Sequence, residues 1–136
     1  MYFVSKVHRR RFTDAVRTAS NKCPCNYLGA VYLLCADHSL RAATENFITR
    51  RSRNIPEQLS QPLTADQYAL FKAAQDIYTG SAHICLQDLG DSRVIQRQVF
   101  EAIVEALRIA RNGRAYIGRA SVSQNLDAGE KEEVLE

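Results

Sequence analysis

Apolar residues along this chain recur mostly at spacings of three and four, the period of an amphipathic helix. The first such segment covers residues 5–19, and Ser5 suits its N-cap because a serine hydroxyl accepts a hydrogen bond from a free amide of the first turn. Its apolar face consists of Phe12, Ala15, Val16 and Ala19. Residues 26–36 differ because nearly all of them are apolar, and a helix that is apolar on most sides is a buried one. The sequence therefore places this second helix at the centre of the core.

Capping signals predict two further helices. Ser39 is expected to cap a third helix that runs to about Arg50. Thr64 and Gln67 have the spacing of a capping box, which opens a fourth helix. Gly80 suits the left-handed position that ends it.

The fifth predicted helix is the longest, from about residue 91 to residue 111, with Gly113 closing it. Its inward stripe is expected to be Ile95, Val99, Ile103 and Leu107, widened by Val104 and Ala110. Residues 82–89 are short and apolar, and they suit either a helical turn or a small strand. The chain is thus predicted to be all-α, or mainly α, as a compact bundle of about five helices.

The length of 136 residues and the 46% of hydrophobic residues are ordinary for one globular domain. We expect residues 1–119 to form a single helical domain, with an exposed, proline-containing loop over residues 51–62. Residues 120–136 are predicted to form a flexible acidic tail. No apolar run approaches the roughly 20 residues of a membrane helix, and the first residues lack the layout of a signal peptide. These features predict a cytoplasmic protein.

Basic residues dominate all but the end of the chain. The last ten residues carry five acids and one base, which leaves 17 bases and 10 acids on residues 1–126. Clustered arginines bind phosphates and carboxylates, so two arginine clusters are candidate partner sites. The first candidate is Arg50, Arg51 and Arg53, and the second is Arg9, Arg10 and Arg11. The alternative for the first cluster is structural, since cations complement the negative C-terminus of a helix.

Cysteine and histidine do not form a recognisable metal motif. Cys23, Cys25, Cys35 and His38 are residue types that bind zinc. A helix over residues 26–36 would, however, separate Cys25 from Cys35 by about 15 Å, far beyond the reach of one ion. The sequence therefore predicts no metal and no cofactor. A redox role for Cys23 and Cys25 stays open because both precede a helix N-terminus, which lowers the pKa of a thiol.

Several core positions follow a recognisable pattern. They are Phe3-x4-His8-x3-Phe12, Tyr27-x2-Ala30-x-Tyr32-Leu33, Leu63-Thr64, Ile77-Tyr78-x-Gly80, Leu89, Phe100, Ala102-Ile103 and Leu107. In this pattern the chain resembles a family of small uncharacterised bacterial proteins, a domain of unknown function often encoded near phage and other mobile elements. The resemblance implies an α-helical fold and a mobile-element context, and it brings no catalytic residues. The turn at Cys23–Cys25 and the acidic tail depart from the pattern.

The function that these observations favour is a non-enzymatic binding or regulatory module that acts on a protein partner. The resemblance narrows this to an inhibitor or adaptor encoded by a mobile element. A nucleic-acid-binding regulator that uses the arginine clusters is the first alternative. A small thiol-dependent enzyme is the second, although the sequence has no nucleophile motif, phosphate-binding loop or paired catalytic carboxylates.

Overall fold

A computed structural model describes the backbone of residues 1–126 and the side chains of residues 1–119. The fold is all-α, as predicted, with seven helices and no strand among the described residues. The helices are α1 (Lys6–Thr18), α2 (Cys25–Leu34), α3 (His38–Ala43), α4 (Glu45–Ile48), α5 (Ala65–Thr79), α6 (Leu86–Leu89) and α7 (Arg97–Leu126). None of them, within the described part, is long and apolar enough to cross a membrane.

α2 forms the centre of the core, which confirms the prediction for this segment. Every non-glycine residue from Tyr27 to Cys35 is at most 1% exposed. α7, α5 and α1 all pack against α2. α2 and α7 approach so closely that a Cβ atom on Gly29 would lie 2.8 Å from the carbonyl oxygen of Ala106. Only glycine fits at this crossing without moving one of the helices.

An aromatic cluster joins α1 and the residues before it to α2. The Phe12 ring meets the Tyr32 ring edge to face with centroids 5.3 Å apart, and Phe3 packs beside both rings. The Tyr32 hydroxyl also donates a hydrogen bond to the carbonyl oxygen of Tyr2. These contacts fix the first residues of the chain against the core.

The predicted caps of two helices are confirmed. The Ser5 hydroxyl accepts from the His8 amide at 3.1 Å, and Thr64 and Gln67 form a reciprocal capping box at the start of α5. Gly80 ends α5 with φ of 78°. Residues 82–89, where the sequence left helix and strand open, contain the short helix α6.

The third predicted helix starts earlier and is divided in two. Its N-cap is Asp37, whose carboxylate accepts from the Leu40 amide at 3.0 Å, and the predicted cap Ser39 lies inside α3. The division occurs at Thr44, which has non-helical backbone angles. The buried Thr44 hydroxyl donates to the Leu40 carbonyl at 2.6 Å, a local bond that competes with regular helix.

The fifth predicted helix begins six residues later and continues further than expected. Asp91 caps a turn instead, because its carboxylate accepts from the Arg93 amide at 2.9 Å. At Gly113, where the helix was predicted to end, φ is 69° and ψ is −152°, and the helix resumes after this break to Leu126. The predicted flexible tail over residues 120–136 therefore starts within α7, and its residues 127–136 lie outside the described part of the chain.

The inward face of α7 is rotated from the predicted stripe. Its buried residues include Val99, Ala102, Ile103, Ala106 and Ile109. The prediction for Leu107 was wrong, since its side chain is 47% exposed. Ala106 and Ala110 lie against Gly29, so this side of α7 faces α2. Leu107 consequently lies on the outer side of the helix.

Candidate interaction surface

The first arginine cluster follows α4, and its members have different surroundings. Arg50 adopts φ of 64°, and its guanidinium carbon lies 4.5 Å from the centre of the Tyr27 ring. This cation–π contact ties Arg50 to the core. Arg51 and Arg53 are exposed. The cluster thus combines one arginine with a packing role and two that are open to a partner.

The loop that carries this cluster is anchored to α5. The Tyr78 hydroxyl donates to the carbonyl oxygen of Arg53 at 2.7 Å. The amide group of Gln75 donates to the carbonyl oxygens of Pro56 and Glu57 at 2.7 and 3.0 Å. Ile55 is buried at 8% exposure. The loop was predicted to be exposed, but it is exposed only in part because its backbone is held in place along one side.

The second arginine cluster lies on α1, where Arg10 is exposed and Arg9 is half-buried. Arg11 donates to the carbonyl oxygen of Cys35 at 3.1 Å, which caps the C-terminal end of α2. Arg50 contacts Tyr27 near the opposite end of α2. The two arginines with these contacts are therefore separated along α2 and do not meet in one site.

Arg114 has a structural role that the sequence did not indicate. Its guanidinium donates to the carbonyl oxygens of Ala19 and Ser20, both at 2.9 Å, and more weakly to that of Val16. These carbonyls lie at the C-terminal end of α1, where a cation also complements the helix dipole. No local signal predicts this contact because 95 residues separate Arg114 from Ala19.

A buried carboxylate joins the two halves of α7. Glu105 is only 2% exposed, and it accepts hydrogen bonds from the Tyr116 hydroxyl at 2.6 Å and from Arg108 at 3.3 Å. Burial raises the pKa of Tyr116 to about 12, and the hydrogen bond and charge of Glu105 add to that rise. In an unbroken helix residues 105 and 116 would lie about 16 Å apart. The break at Gly113 brings them together, so the Glu105 carboxylate links the parts of α7 before and after the break.

His8 is fully buried and has both ring nitrogens occupied. The Val4 amide donates to Nδ1 at 3.1 Å, which leaves the proton on Nε2 for a 2.8 Å hydrogen bond to the carbonyl oxygen of Tyr32. Burial lowers the pKa of His8 to about 4, so the ring is neutral at pH 7. With both nitrogens bound to backbone, His8 supports structure and offers no free nitrogen for acid–base chemistry or metal binding.

A second histidine, His83, follows α5 and pairs with the carboxylate of Asp76. Asp76 accepts from the His83 ring at 2.8 Å, from the backbone amides of His83 and Ile84, and from the Ser81 hydroxyl. Burial alone would raise the pKa of Asp76, but these hydrogen bonds hold it below its usual range. The Ser81 hydroxyl donates to Asp76 rather than to the imidazole, so it is not positioned as a nucleophile activated by His83. The pair organises the turn that follows α5.

The cysteines occupy different environments. Cys35 is buried, and burial raises the pKa of its thiol to about 12. Cys25 is exposed at the opposite end of α2. Its sulfur packs against Gly113, where an added Cβ atom would lie only 2.6 Å from it. Within the described residues no three histidine, cysteine or acidic side chains are placed to hold one metal ion.

The outward side of α7 carries large apolar groups together with basic ones. Phe100 is 36% exposed, Leu107 is 47% exposed, and Val104 is half-buried between them. Three exposed arginines accompany them on the same helix. We call this set the α7 outer face; it consists of Arg97, Phe100, Val104, Leu107, Arg108 and Arg111. Val104 and Leu107 were predicted on the inward side of this helix, and neither predicted arginine cluster includes the arginines of this surface.

A second partly apolar surface is a groove of about 500 Å³ between the start of α5 and residues 83–95. Its exposed apolar side chains are Tyr68 and Val94, at 50% and 55% exposure. One wall of this groove combines loop and turn residues with the four-residue helix α6, whereas the α7 outer face lies on a single long helix. A regular helix holds a binding surface more firmly than a loop does.

No protein-family model matches the chain, and no curated protein or solved structure is significantly similar to it.

Proposed function

We propose that the protein is a non-enzymatic module that binds another protein through the α7 outer face. The observation that carries this proposal is the exposure of Phe100 and Leu107 on one side of a helix whose opposite side is buried. Burying large apolar side chains is the main gain of protein association. Aromatic residues and arginine, both present here, are also enriched in protein interfaces.

The resemblance noted in the sequence supports a narrower version of this proposal, in which a mobile element encodes the protein as an inhibitor or adaptor for a host protein. Arg51 and Arg53, the exposed members of the first cluster, remain candidate contacts to such a partner. A nucleic-acid-binding regulator would use the same arginines but would gain nothing from exposed leucine and phenylalanine. That difference makes the two functions separable by mutation.

The proposal is tested by capture from a lysate of the encoding organism with the immobilised full chain, analysed for both protein and nucleic acid. Leu107→Asp places a charge in the centre of the α7 outer face, and Leu86→Asp is the matched control because Leu86 is 85% exposed on α6. We expect the wild type and Leu86→Asp to capture the same protein and Leu107→Asp to lose it. Urea melts should show all three chains folded.

Two results would reject the proposal. One is capture of the same proteins by Leu107→Asp and the wild type. The other is capture of nucleic acid alone, with affinity for arbitrary duplex that falls steeply with salt, which is the behaviour of a phosphate-binding protein.

The first arginine cluster is tested separately with the triple change of Arg50, Arg51 and Arg53 to Gln. Because Arg50 packs on Tyr27, this variant should lose about 0.5–1 kcal/mol of stability even if the cluster has no partner. The double variant Arg51→Gln with Arg53→Gln keeps that contact. Weaker capture by the double variant at unchanged stability would support partner binding by the cluster, and unchanged capture would exclude it.

A further inference from the structure

The arrangement of charge on the α7 outer face indicates the chemistry of its partner. At about 100° per residue, Phe100, Val104 and Leu107 fall within an arc of about 60°. They form a stripe about 10 Å long on the helix surface. This length corresponds to two turns of a partner helix.

Basic residues lie at both ends of this stripe. Arg97 lies one turn before Phe100, and Arg108 and Arg111 follow Leu107. Arg108 keeps 54% of its side chain exposed while it contacts Glu105. The nearest acidic residue is Glu101, which lies about 60° beyond the edge of this arc and is half-buried. The exposed charge of the surface is therefore positive before and after its apolar centre.

We propose that the α7 outer face binds an acidic amphipathic helix of a partner protein. This inference rests on the proposed function and adds the class of partner. The partner helix presents a short apolar stripe to Phe100, Val104 and Leu107, and its aspartate or glutamate residues on either side of that stripe pair with the arginines. Arginine suits this role because its guanidinium binds a carboxylate through two parallel hydrogen bonds. Residues 97–111 span about 21 Å, which fits a partner segment of about 14 residues.

The mixture of apolar and basic groups favours a protein over a lipid surface. A helix that lies on a membrane segregates a wide apolar face from its basic face. Here Arg111 falls within the same arc as Phe100 and Leu107, so the apolar area is short and interrupted by charge. A folded helix with acids at its ends complements that pattern, whereas a continuous hydrocarbon layer does not.

The test uses the full chain and three synthetic helical peptides of about 14 residues. The first has leucines at positions i, i+4 and i+7 with glutamates on both sides, the second replaces the glutamates by lysines, and the third replaces the leucines by serines. Binding is measured by calorimetry at about 50 mM and about 200 mM salt. We expect micromolar affinity for the first peptide and binding at least about tenfold weaker for the other two.

Variants of the chain locate the binding. Leu107→Asp should lower the affinity for the first peptide by about tenfold or more, and Leu86→Asp should leave that affinity unchanged. Changing Arg97, Arg108 and Arg111 to Gln should weaken binding at low salt and reduce the dependence on salt. Equal affinity for the lysine and glutamate peptides would overturn the inference, as would unchanged binding by Leu107→Asp.

Other occupants give distinct results. If a peptide of residues 127–136 binds the α7 outer face more tightly than the first probe, the occupant is the chain's own acidic tail and the inference is wrong. If sedimentation shows a dimer that Leu107→Asp dissociates, the occupant is a second copy and the inference is wrong. Stronger binding to anionic vesicles than to the first peptide would assign the surface to membranes and overturn the inference. Loss of protein capture by Leu107→Asp, combined with no preference for the glutamate peptide, would retain the proposed function and reject this class of partner.

Discussion

Leu34→Ala gives the sharpest test of the packing around α2. Leu34 is fully buried at 0% exposure near the end of α2, the helix that α5, α7 and α1 surround. The change removes three buried carbon atoms. Their burial stabilises the folded state by about 2.4 kcal/mol, at about 0.8 kcal/mol each. The cavity left behind adds to this because surrounding helices relax only in part, so we expect a loss of about 3–4 kcal/mol. Val31→Ala removes two carbons and should cost about 2 kcal/mol.

The assay is urea unfolding followed by circular dichroism, with Leu86→Ala as the matched control. Leu86 is 85% exposed, so its truncation should change the unfolding free energy by less than about 0.5 kcal/mol. The slope of the transition should stay constant, which shows that the variants unfold from the same native state. A Leu34→Ala midpoint within error of the Leu86→Ala midpoint would refute the central position of α2.

Three further predictions follow from single contacts. Arg114→Gln removes the donors at the end of α1 and should lower the unfolding free energy by about 1–2 kcal/mol in urea melts. Arg119→Gln, at an exposed position, is the control. Equal unfolding midpoints for the two variants would contradict the capping role of Arg114. Gly29→Ala should cost about 1–3 kcal/mol because its Cβ meets the Ala106 carbonyl, and an unchanged thermal midpoint would show that α2 and α7 separate freely. Because burial lowers the pKa of His8 from 6.5 to about 4, the unfolded chain binds a proton in this range that the folded chain does not. The contribution of His8 to the free energy of unfolding is therefore complete above pH 6.5, and this free energy falls by about 3 kcal/mol as the pH drops to about 4. His8→Asn should flatten that part of the stability profile, and an unchanged slope would assign the acid sensitivity to other groups.

Local signals predicted the beginnings of α1 and α5 well, but not those of α3 and α7. The caps at Ser5 and Thr64 depend on side chains within three residues of the amides they bind, so the sequence contains all the partners. The burial of α2 was equally predictable because its composition leaves no polar side to expose. The division at Thr44 was not predictable, since a threonine hydroxyl that bonds to the preceding turn occurs in regular helices as well.

The candidate site was harder to predict because α7 has apolar residues on more than one side. Val99, Ile103 and Leu107 fit a helical stripe by spacing alone, and so do Phe100, Val104 and Leu107. The choice between them depends on the close approach of Ala106 to Gly29, a contact between residues distant in sequence. The periodicity of apolar residues predicts an amphipathic helix. Which of its sides faces the core depends on the helices that pack against it.

The contacts made after Gly113 have a consequence for how the protein is made on the ribosome. Arg114 completes the end of α1, and Tyr116 completes the hydrogen bonding of Glu105, so residues just after the break supply partners for residues 95 and 11 positions earlier in the chain. A nascent chain that stops before Gly113 has the core helices but exposes the final carbonyls of α1 and leaves Glu105 without its tyrosine. Closing contacts over such long stretches of chain is entropically costly and slows folding. The C-terminal end of α1 and the buried Glu105 therefore gain these partners only once residues 114–116 are free to fold back onto them.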